Sequence, residues 1–152
     1  MKILIVGASG FLGRKLFNDL LTDEHDVVGS SRIKRGFLKL DITDHENLKL
    51  VLEQGNFDTV INLAAVGVTA GTSNEQEMVQ VNSDATIHFA RILSNLQNPP
   101  TLIHIASSTE PIGNVQPESL YSKSKAEGTA AVVDVLSQTQ IPLRVLRIHN
   151  TY

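Results

Sequence analysis

The first thirteen residues constrain the fold more strongly than any other part of the chain. Residues 3–6 form an uninterrupted, largely β-branched apolar run, which is typical of a strand buried on both faces in a parallel sheet. Gly7 follows directly, and apolar residues then recur at helical spacing from Gly10 to Leu21. A buried strand, a glycine turn and a helix in immediate succession predict the opening unit of a parallel α/β sheet.

The same alternation continues along the chain. Further strands are predicted at 27–28, 37–40, 59–64, 101–106 and 143–148, and helices at 43–54, 74–97 and 117–137. Because parallel strands need crossover connections, this order predicts a Rossmann-like α/β fold, a doubly wound parallel sheet in a three-layer αβα arrangement. Only residues 31–36 separate the second and third strands, which is too short for a crossover helix, so one helix of the full pattern is predicted to be missing.

Two of the predicted helices carry an N-terminal signature. Thr43 with Glu46, and Ser73 with Gln76, have the spacing of a capping box, in which a hydroxyl and a longer side chain satisfy amide donors reciprocally. Helices are therefore predicted to begin just after Thr43 and Ser73.

Composition limits the classes of partner. The chain has 152 residues, of which 41% are hydrophobic and 19% charged, as expected for one globular domain. Its net charge of −3 provides no overall basic field, so neither nucleic acid nor an anionic membrane is an expected partner.

The absence of cysteine excludes disulfides and thiolate metal sites, and the five histidines show no ligand spacing, so no metal site is predicted. Apolar runs are far shorter than the roughly 20 residues of a membrane span, and glycines interrupt the first one, so a cytoplasmic protein without a signal peptide is expected.

Residues 7–13 read Gly-Ala-Ser-Gly-Phe-Leu-Gly and open directly into the first helix. Glycine permits a tight turn and a close backbone approach, while the amides and the positive dipole end of the helix favour a pyrophosphate. The preceding strand and the following helix favour a nucleotide site over a simple turn between packed elements. We therefore expect a dinucleotide to be bound here by Gly7, Ser9, Gly10, Phe11, Leu12 and Gly13.

The end of the second strand bears on which dinucleotide is bound. A carboxylate there would bind a ribose 2′-hydroxyl and repel a 2′-phosphate, whereas this chain has Ser31 and Arg32, a hydroxyl and a guanidinium suited to phosphate. NADP(H) is therefore favoured over NAD(H), the alternative being that Arg32 and its basic neighbours only solubilise an exposed loop. Asp41, followed by Ile42 after the third strand, is expected either near the adenine amino group or as a cap of the next turn.

Three further motifs follow the predicted strands in order. Residues 62–65 (Asn-Leu-Ala-Ala) follow the fourth strand, residues 107–109 (Ser-Ser-Thr) follow the fifth, and residues 121–125 (Tyr-Ser-Lys-Ser-Lys) lie on the next helix. Together with the glycine run, they make the whole chain resemble the extended short-chain dehydrogenase/reductases, and more narrowly the NAD(P)-dependent epimerase/dehydratase family, which acts on nucleotide sugars. The resemblance implies further cofactor contacts from Leu63, Ala64 and Ala65.

The hydroxyl residues after the fifth strand and the motif on the next helix suggest a catalytic set. Tyr121 and Lys125 share one helix face, and an ammonium beside a phenol predicts a pKa of Tyr121 below its usual value of about 10. Hydride transfer at a carbinol carbon needs a matching proton transfer at oxygen, and a hydroxyl such as Ser108 can hold that oxygen. The family's loop pattern favours Ser108, with Thr109 next. The resemblance also implies that Tyr121 and Lys125 contact the cofactor as well as act in catalysis. Asn82 completes the implied catalytic set by helping to fix the lysine's surroundings.

These motifs lead to three functional hypotheses. The first is the cofactor and catalytic domain of an enzyme that oxidises, reduces or epimerises a nucleotide-activated sugar. The short connection between the second and third strands resembles the dTDP-4-dehydrorhamnose reductase branch, so an NADPH-dependent 4-ketoreductase is the alternative. A non-catalytic, dinucleotide-sensing module would keep the glycine run without catalysis, and the presence of Tyr121 with Lys125 argues against it.

The chain also departs from the family pattern. Where many members read Val-Tyr-Gly, residues 111–113 read Pro-Ile-Gly, so that tyrosine ring is absent. Residues 146–152 resemble a segment after which relatives continue with a substrate-binding portion, so residues 1–152 are expected to be a cofactor domain with poor turnover by itself, the alternative being a naturally minimal protein. Relatives often pair long helices, which makes a homodimer through the helices at 74–97 and 117–137 possible.

Overall fold

The computed structural model describes residues 1–67, 74–113 and 115–149. Within them, six parallel strands form one sheet in the order β3-β2-β1-β4-β5-β6. The strands are β1 (Lys2–Val6), β2 (Asp26–Ser31), β3 (Leu38–Lys39), β4 (Thr59–Asn62), β5 (Thr101–Ser107) and β6 (Leu143–Ile148). The order reverses at β1, so β1 and β4 diverge at the switch point where ligands bind in such sheets.

The helices cover both faces of the sheet. They are α1 (Phe11–Thr22), α2 (His45–Gly55), α3 (Glu75–Met78), α4 (Thr86–Ser94) and α5 (Leu120–Ser137). A π-helical segment, Val79–Ala85, joins α3 to α4, so the helix predicted over 74–97 contains a wider turn in its first half. In the part of the chain that the structure describes, no helix is long and apolar enough to cross a membrane.

Two separate apolar clusters explain the three layers. One face of the sheet packs against α2, α4 and α5, with Phe89 and Leu102 fully buried at its centre. The opposite face packs against α1 through Phe17 and its neighbours, over Ile3 and Ile5 of β1. The predicted Rossmann-like, three-layer α/β fold is therefore confirmed.

The connection between β2 and β3 contains no helix, as predicted from its length. Phe37, which lies in this connection, packs on the α1 face of the sheet instead. Its ring meets the ring of Phe17 edge-on, with centroids 5.4 Å apart. One aromatic side chain thus covers apolar surface that a crossover helix would otherwise cover.

The predicted capping boxes are wrong by one residue. Asp44 rather than Thr43 caps α2, and its carboxylate accepts a hydrogen bond from the amide three residues on at 3.1 Å. Thr43 instead donates its hydroxyl to Asp41 at 2.8 Å. Asn74 caps α3, while Ser73 lies outside the described residues. The prediction failed because carboxylate and amide oxygens cap helices as well as hydroxyls do, and each stands one residue closer to its helix.

Candidate functional site

The loop between β1 and α1 closes tightly on the start of the helix. Gly7 has a φ of +85°, and the Gly10 amide donates to its carbonyl at 3.1 Å. A Cβ at Gly13 would lie 2.5 Å from the Gly7 oxygen and 2.7 Å from the Ala8 Cα, so a side chain at position 13 would force backbone apart. The glycine spacing therefore brings the N-terminus of α1 against the end of β1.

The first turn of α1 presents amide donors. Gly10 is its N-cap residue and provides no side-chain cap. The first helical hydrogen bond runs from the Arg14 amide to the Gly10 carbonyl at 3.1 Å. Amides in the first turn of a helix have no partner within it, and the helix dipole adds positive potential there. This donor set fits the diphosphate of a dinucleotide, and binding of a dinucleotide by these residues stays a prediction.

Residues after β4 form a second wall beside this loop. The Leu63 amide donates to the Val6 carbonyl at 2.9 Å, and the Ala64 amide donates to the side chain of Asn62 at 3.1 Å. A Cβ at Gly7 would lie 3.0 Å from the Ala64 nitrogen. The structure therefore places Leu63 and Ala64, with Ala65 next along the chain, beside the glycine loop, and their contact with a cofactor stays a prediction.

A pocket of about 420 Å³ opens beyond the ends of β2 and β3. Its lining includes Arg32 and Asp41 together with Glu77 of α3. Arg32 donates to the Glu77 carboxylate at 3.0 Å, a contact that sequence reasoning missed because 45 residues separate the two. Asp41 accepts from the amide and hydroxyl of Thr43, at 3.0 and 2.8 Å, so its carboxylate caps the following turn.

Two residues predicted to bind the cofactor are buried. Ile42 belongs to the buried apolar cluster that also contains Leu48 and Leu52 of α2, and it does not line the pocket. Ser31 is also buried, and its hydroxyl lies 2.8 Å from that of Ser9 and accepts from the Lys34 amide at 3.0 Å. Ser31 thus holds the turn that carries Arg32, and burial limits its own access to a ligand.

Asn82 lies buried in the π-helical segment and fixes the backbone after β4. Its side-chain oxygen accepts from the Val66 amide and its nitrogen donates to the Val66 carbonyl, both at 2.9 Å. The same nitrogen donates to the Ser124 hydroxyl at 3.1 Å. Asn82 therefore joins the segment after β4 to α5, one residue from Lys125, and its role in catalysis stays a prediction.

Lys125 is almost fully buried under the C-terminal end of β5. Its ammonium donates to the Ile105 carbonyl at 2.8 Å. Burial lowers the pKa of Lys125, while the nearby carboxylate of Glu110 acts in the opposite direction. An ammonium carries three protons, so the bond to Ile105 leaves donor capacity for a ligand.

Tyr121 stands one helical turn before Lys125. Burial raises the pKa of Tyr121, a hydrogen bond with the Ser107 side chain lowers it, and the Glu110 carboxylate raises it. The prediction of a lowered pKa is therefore wrong for the protein without ligand. Burial outweighs the other effects, and the Lys125 ammonium is engaged with the Ile105 carbonyl. The phenol is protonated at neutral pH.

In the ligand-free protein the hydroxyl that forms a hydrogen bond with the Tyr121 phenol is Ser107, and the role of Ser108 in holding a substrate oxygen stays a prediction. Ser107 also lies 2.8 Å from the Thr109 hydroxyl. The backbone of Ser108 continues the pairing with β6, since its amide donates to the Ile148 carbonyl at 2.9 Å. The sequence does not show which of the three adjacent hydroxyl residues faces Tyr121. The direction of each side chain depends on where and how β5 ends.

The side chains of three residues whose part in the site sequence reasoning missed hold this turn. The buried Glu110 carboxylate accepts from the Ser107 amide at 2.6 Å. Arg147 of β6 donates to the carbonyls of Ser107 and Glu110, at 3.1 and 2.6 Å. Ser122 of α5 donates its hydroxyl to the Thr109 carbonyl. The signal for Arg147 was its place in the family's terminal segment, of which residues 150–152 lie outside the described part.

A buried histidine links these elements. His104 of β5 lies 3.5 Å from the side-chain nitrogen of Asn62 and 3.2 Å from the Thr129 hydroxyl. Burial lowers the pKa of His104 to about 3, and the positive charge of Lys125 acts in the same direction. His104 is therefore neutral and hydrogen-bonded.

The direction of the Tyr121 shift can be measured directly. The chain has two tyrosines and no tryptophan, so Tyr152→Phe leaves one phenol whose ionisation gives a tyrosinate absorbance band. We expect its midpoint in the ligand-free protein above the ordinary value of about 10, because burial disfavours the phenolate. The signal should disappear when Tyr121→Phe is added. A midpoint below 10 would show that the lysine controls the phenol even without ligand.

The sheet order, the glycine loop before α1 and the Tyr121–Lys125 pair on α5 define a protein of the Rossmann-like α/β class. A family model described as the NAD dependent epimerase/dehydratase family matches residues 3–152. The chain belongs to this family.

Relatives with several activities resemble the chain. A dTDP-6-deoxy-L-talose 4-dehydrogenase (NAD(P)(+)) of Kitasatospora kifunensis is 29% identical over 98% of this chain and 52% of its own length. A dTDP-4-dehydrorhamnose reductase of Mycobacterium tuberculosis is 26% identical over 92% and 48%. The crystal structure of a UDP-glucuronic acid 4-epimerase from Bacillus cereus with NAD has the same fold, with a TM-score of 0.82, 24% identity, and coverage of 100% of this chain and 57% of that one. The chain spans about half the length of the curated relatives it matches.

Proposed function

We propose that residues 1–152 form the NAD(P)-binding catalytic domain of an enzyme that oxidises, reduces or epimerises a nucleotide-activated sugar. One observation carries this proposal: the open N-terminus of α1 and the Tyr121–Lys125 face converge at the carboxyl edge of one parallel sheet. Ligands of such sheets bind at that edge. Family membership and the nucleotide-sugar substrates in the relatives' names support the same class of reaction.

The chain offers residues for each part of a dinucleotide. The amides of Phe11 and Leu12 would hold the diphosphate, and Leu63 with its two following alanines would flank it. The Lys125 ammonium would bind the nicotinamide ribose, and Arg32 would bind a 2′-phosphate, which is the basis for proposing NADP(H) over NAD(H). When bound, the nicotinamide group supplies or accepts a hydride.

Tyr121 would move the proton that accompanies the hydride. Addition of a hydride to a carbonyl carbon leaves negative charge on the oxygen, and the phenol neutralises it by donating its proton. In the reverse direction the phenolate takes the hydroxyl proton. Ser107 or Ser108 would hold the same oxygen by hydrogen bonding, and Glu110 with Arg147 would fix the turn from which that hydroxyl projects.

A ketoreductase is the second candidate. A phenol of ordinary pKa, about 10, is already protonated at neutral pH, and burial raises the pKa of Tyr121 further, so this phenol can donate to a newly formed alkoxide. Relatives include a dTDP-4-dehydrorhamnose reductase, for which reduction is part of the printed name.

The proposal also includes a cytoplasmic location and a homodimer formed through α4 and α5. Sedimentation of the purified protein measures whether it is a dimer.

Dinucleotide binding tests the proposal. We expect the chain to bind NADPH and NADH, and Gly13→Ala to weaken both by at least about tenfold, because the added Cβ would push the loop off the helix. Binding is followed through the fluorescence of the reduced nicotinamide. The control is Asn18→Ala, an exposed position on the same helix, which should leave affinity unchanged. Failure of the unsubstituted chain to bind either dinucleotide would refute the proposed function.

A further inference from the structure

The guanidinium expected to bind a 2′-phosphate already has an anionic partner. Arg32 and Glu77 form an ion pair at 3.0 Å across the pocket beyond β2, with their side chains 48% and 28% exposed. Glu77 stands on α3, where its amide is held by the Asn74 cap at 2.7 Å. The backbone of Glu77 is therefore fixed, and its carboxylate lies beside the site where Arg32 would contact a ligand.

The charges around this pocket disfavour the binding of the 2′-phosphate that distinguishes NADP(H) from NAD(H). Its charged lining residues in the described part of the chain are Arg32, Asp41 and Glu77, which sum to −1. A ribose 2′-hydroxyl brings no charge, whereas a 2′-phosphate is an anion that must compete with Glu77 for the same guanidinium. The ion pair therefore lowers the affinity for NADP(H) that Arg32 would otherwise provide. The affinity for NAD(H), which has a 2′-hydroxyl there, is almost unaffected.

We propose that Glu77 is a specificity-determining residue that limits the preference for NADP(H) over NAD(H) that Arg32 provides. This inference rests on the proposed function, because it requires a dinucleotide at the glycine loop. Removing the Glu77 charge frees Arg32 for the 2′-phosphate and strengthens that preference. The structural alternative is that the pair only links α3 to the turn after β2, although exposed ion pairs contribute little to stability.

Glu77→Gln separates these possibilities. Glutamine keeps the size of the side chain and an oxygen that accepts from Arg32, so it removes charge and little else. Glu75→Gln is the matched control, because Glu75 lies on the same helix, carries the same charge and does not line this pocket. Affinities of the two variants and the unsubstituted chain are measured for NADPH and NADH by nicotinamide fluorescence, and unfolding by circular dichroism.

We expect Glu77→Gln to raise the ratio of NADPH to NADH affinity by about five- to tenfold at low salt, and Glu75→Gln to change it less than about twofold. Adding Arg32→Gln to Glu77→Gln should abolish the gain. An equal effect of the two glutamate variants, or an equal gain for both dinucleotides, overturns the proposal. If the unsubstituted chain binds neither dinucleotide, the proposed function fails first. Binding of both with an unchanged ratio in Glu77→Gln overturns this inference alone.

Discussion

Replacing Tyr121 with phenylalanine is expected to lower turnover of a nucleotide sugar by about 10²- to 10⁴-fold, the usual contribution of a positioned acid or base. The substitution removes only the phenolic oxygen. The aromatic ring is kept at the same position of α5, so we expect the glycine loop and the Lys125 bond to Ile105 to be unaffected. Affinity for NADPH should therefore remain that of the unsubstituted protein, which separates the loss of proton transfer from a loss of cofactor.

Turnover is followed with UDP- and dTDP-hexoses through the ultraviolet absorbance of the reduced nicotinamide, and by magnetic resonance where the sugar is epimerised. The turnover of the Ser107→Ala and Ser108→Ala variants is measured in the same way. We expect turnover to fall further in the variant that lacks the serine holding the substrate oxygen, and this difference identifies that serine. Full activity of Tyr121→Phe with normal cofactor binding would show that another group transfers the proton.

Gly128→Ala is expected to destabilise the protein by about 3 kcal/mol, at the upper end of the cost of overfilling a packed contact. A Cβ at Gly128 would lie 2.1 Å from the Asn82 carbonyl oxygen and 3.3 Å from the Thr86 side chain. In an exposed helix the same substitution would stabilise by about 1 kcal/mol, so the contact reverses the sign. The displaced Asn82 would also release Val66 and Ser124, with which it forms hydrogen bonds.

Urea unfolding monitored by circular dichroism measures this effect. Glu127→Ala, at the neighbouring exposed position of α5, is the control, and we expect it to stay within about 0.5 kcal/mol of the unsubstituted chain. A Gly128→Ala protein at least as stable as the original would mean that α5 and the π-helical segment pack less closely than the structure shows.

The sheet was predictable because its signals are local. Each buried strand is a short apolar run, and the glycine spacing at residues 7–13 specifies a turn whose neighbours lie next to it in sequence. The missing helix after β2 follows from length alone. The π-helical turn at Val79–Ala85 was not predictable, because it leaves the apolar spacing of a helix almost unchanged and depends on the contact between Asn82 and α5.

The parts of the site that sequence reasoning missed depend on contacts between distant residues. Whether Ser107 or Ser108 faces Tyr121 is set by the end of β5 and by Arg147, which the pairing of β5 with β6 brings there. The ion pair between Arg32 and Glu77 forms because α3 returns over the end of β2. The pKa of Tyr121 depends on burial, which spacing along one helix does not report.

The short strand β3 has a consequence for how ligands would be bound. Among the residues that the structure describes, it pairs with β2 alone, at the edge of the sheet, through two residues that are both exposed. An edge with so few backbone bonds is among the first parts of a domain to open by local unfolding. Arg32 precedes this strand and Asp41 follows it, so the proposed adenosine end of the site stands on a weakly paired edge of the sheet. A bound adenosine would slow amide hydrogen exchange there, and part of its binding free energy would be used to keep that edge closed.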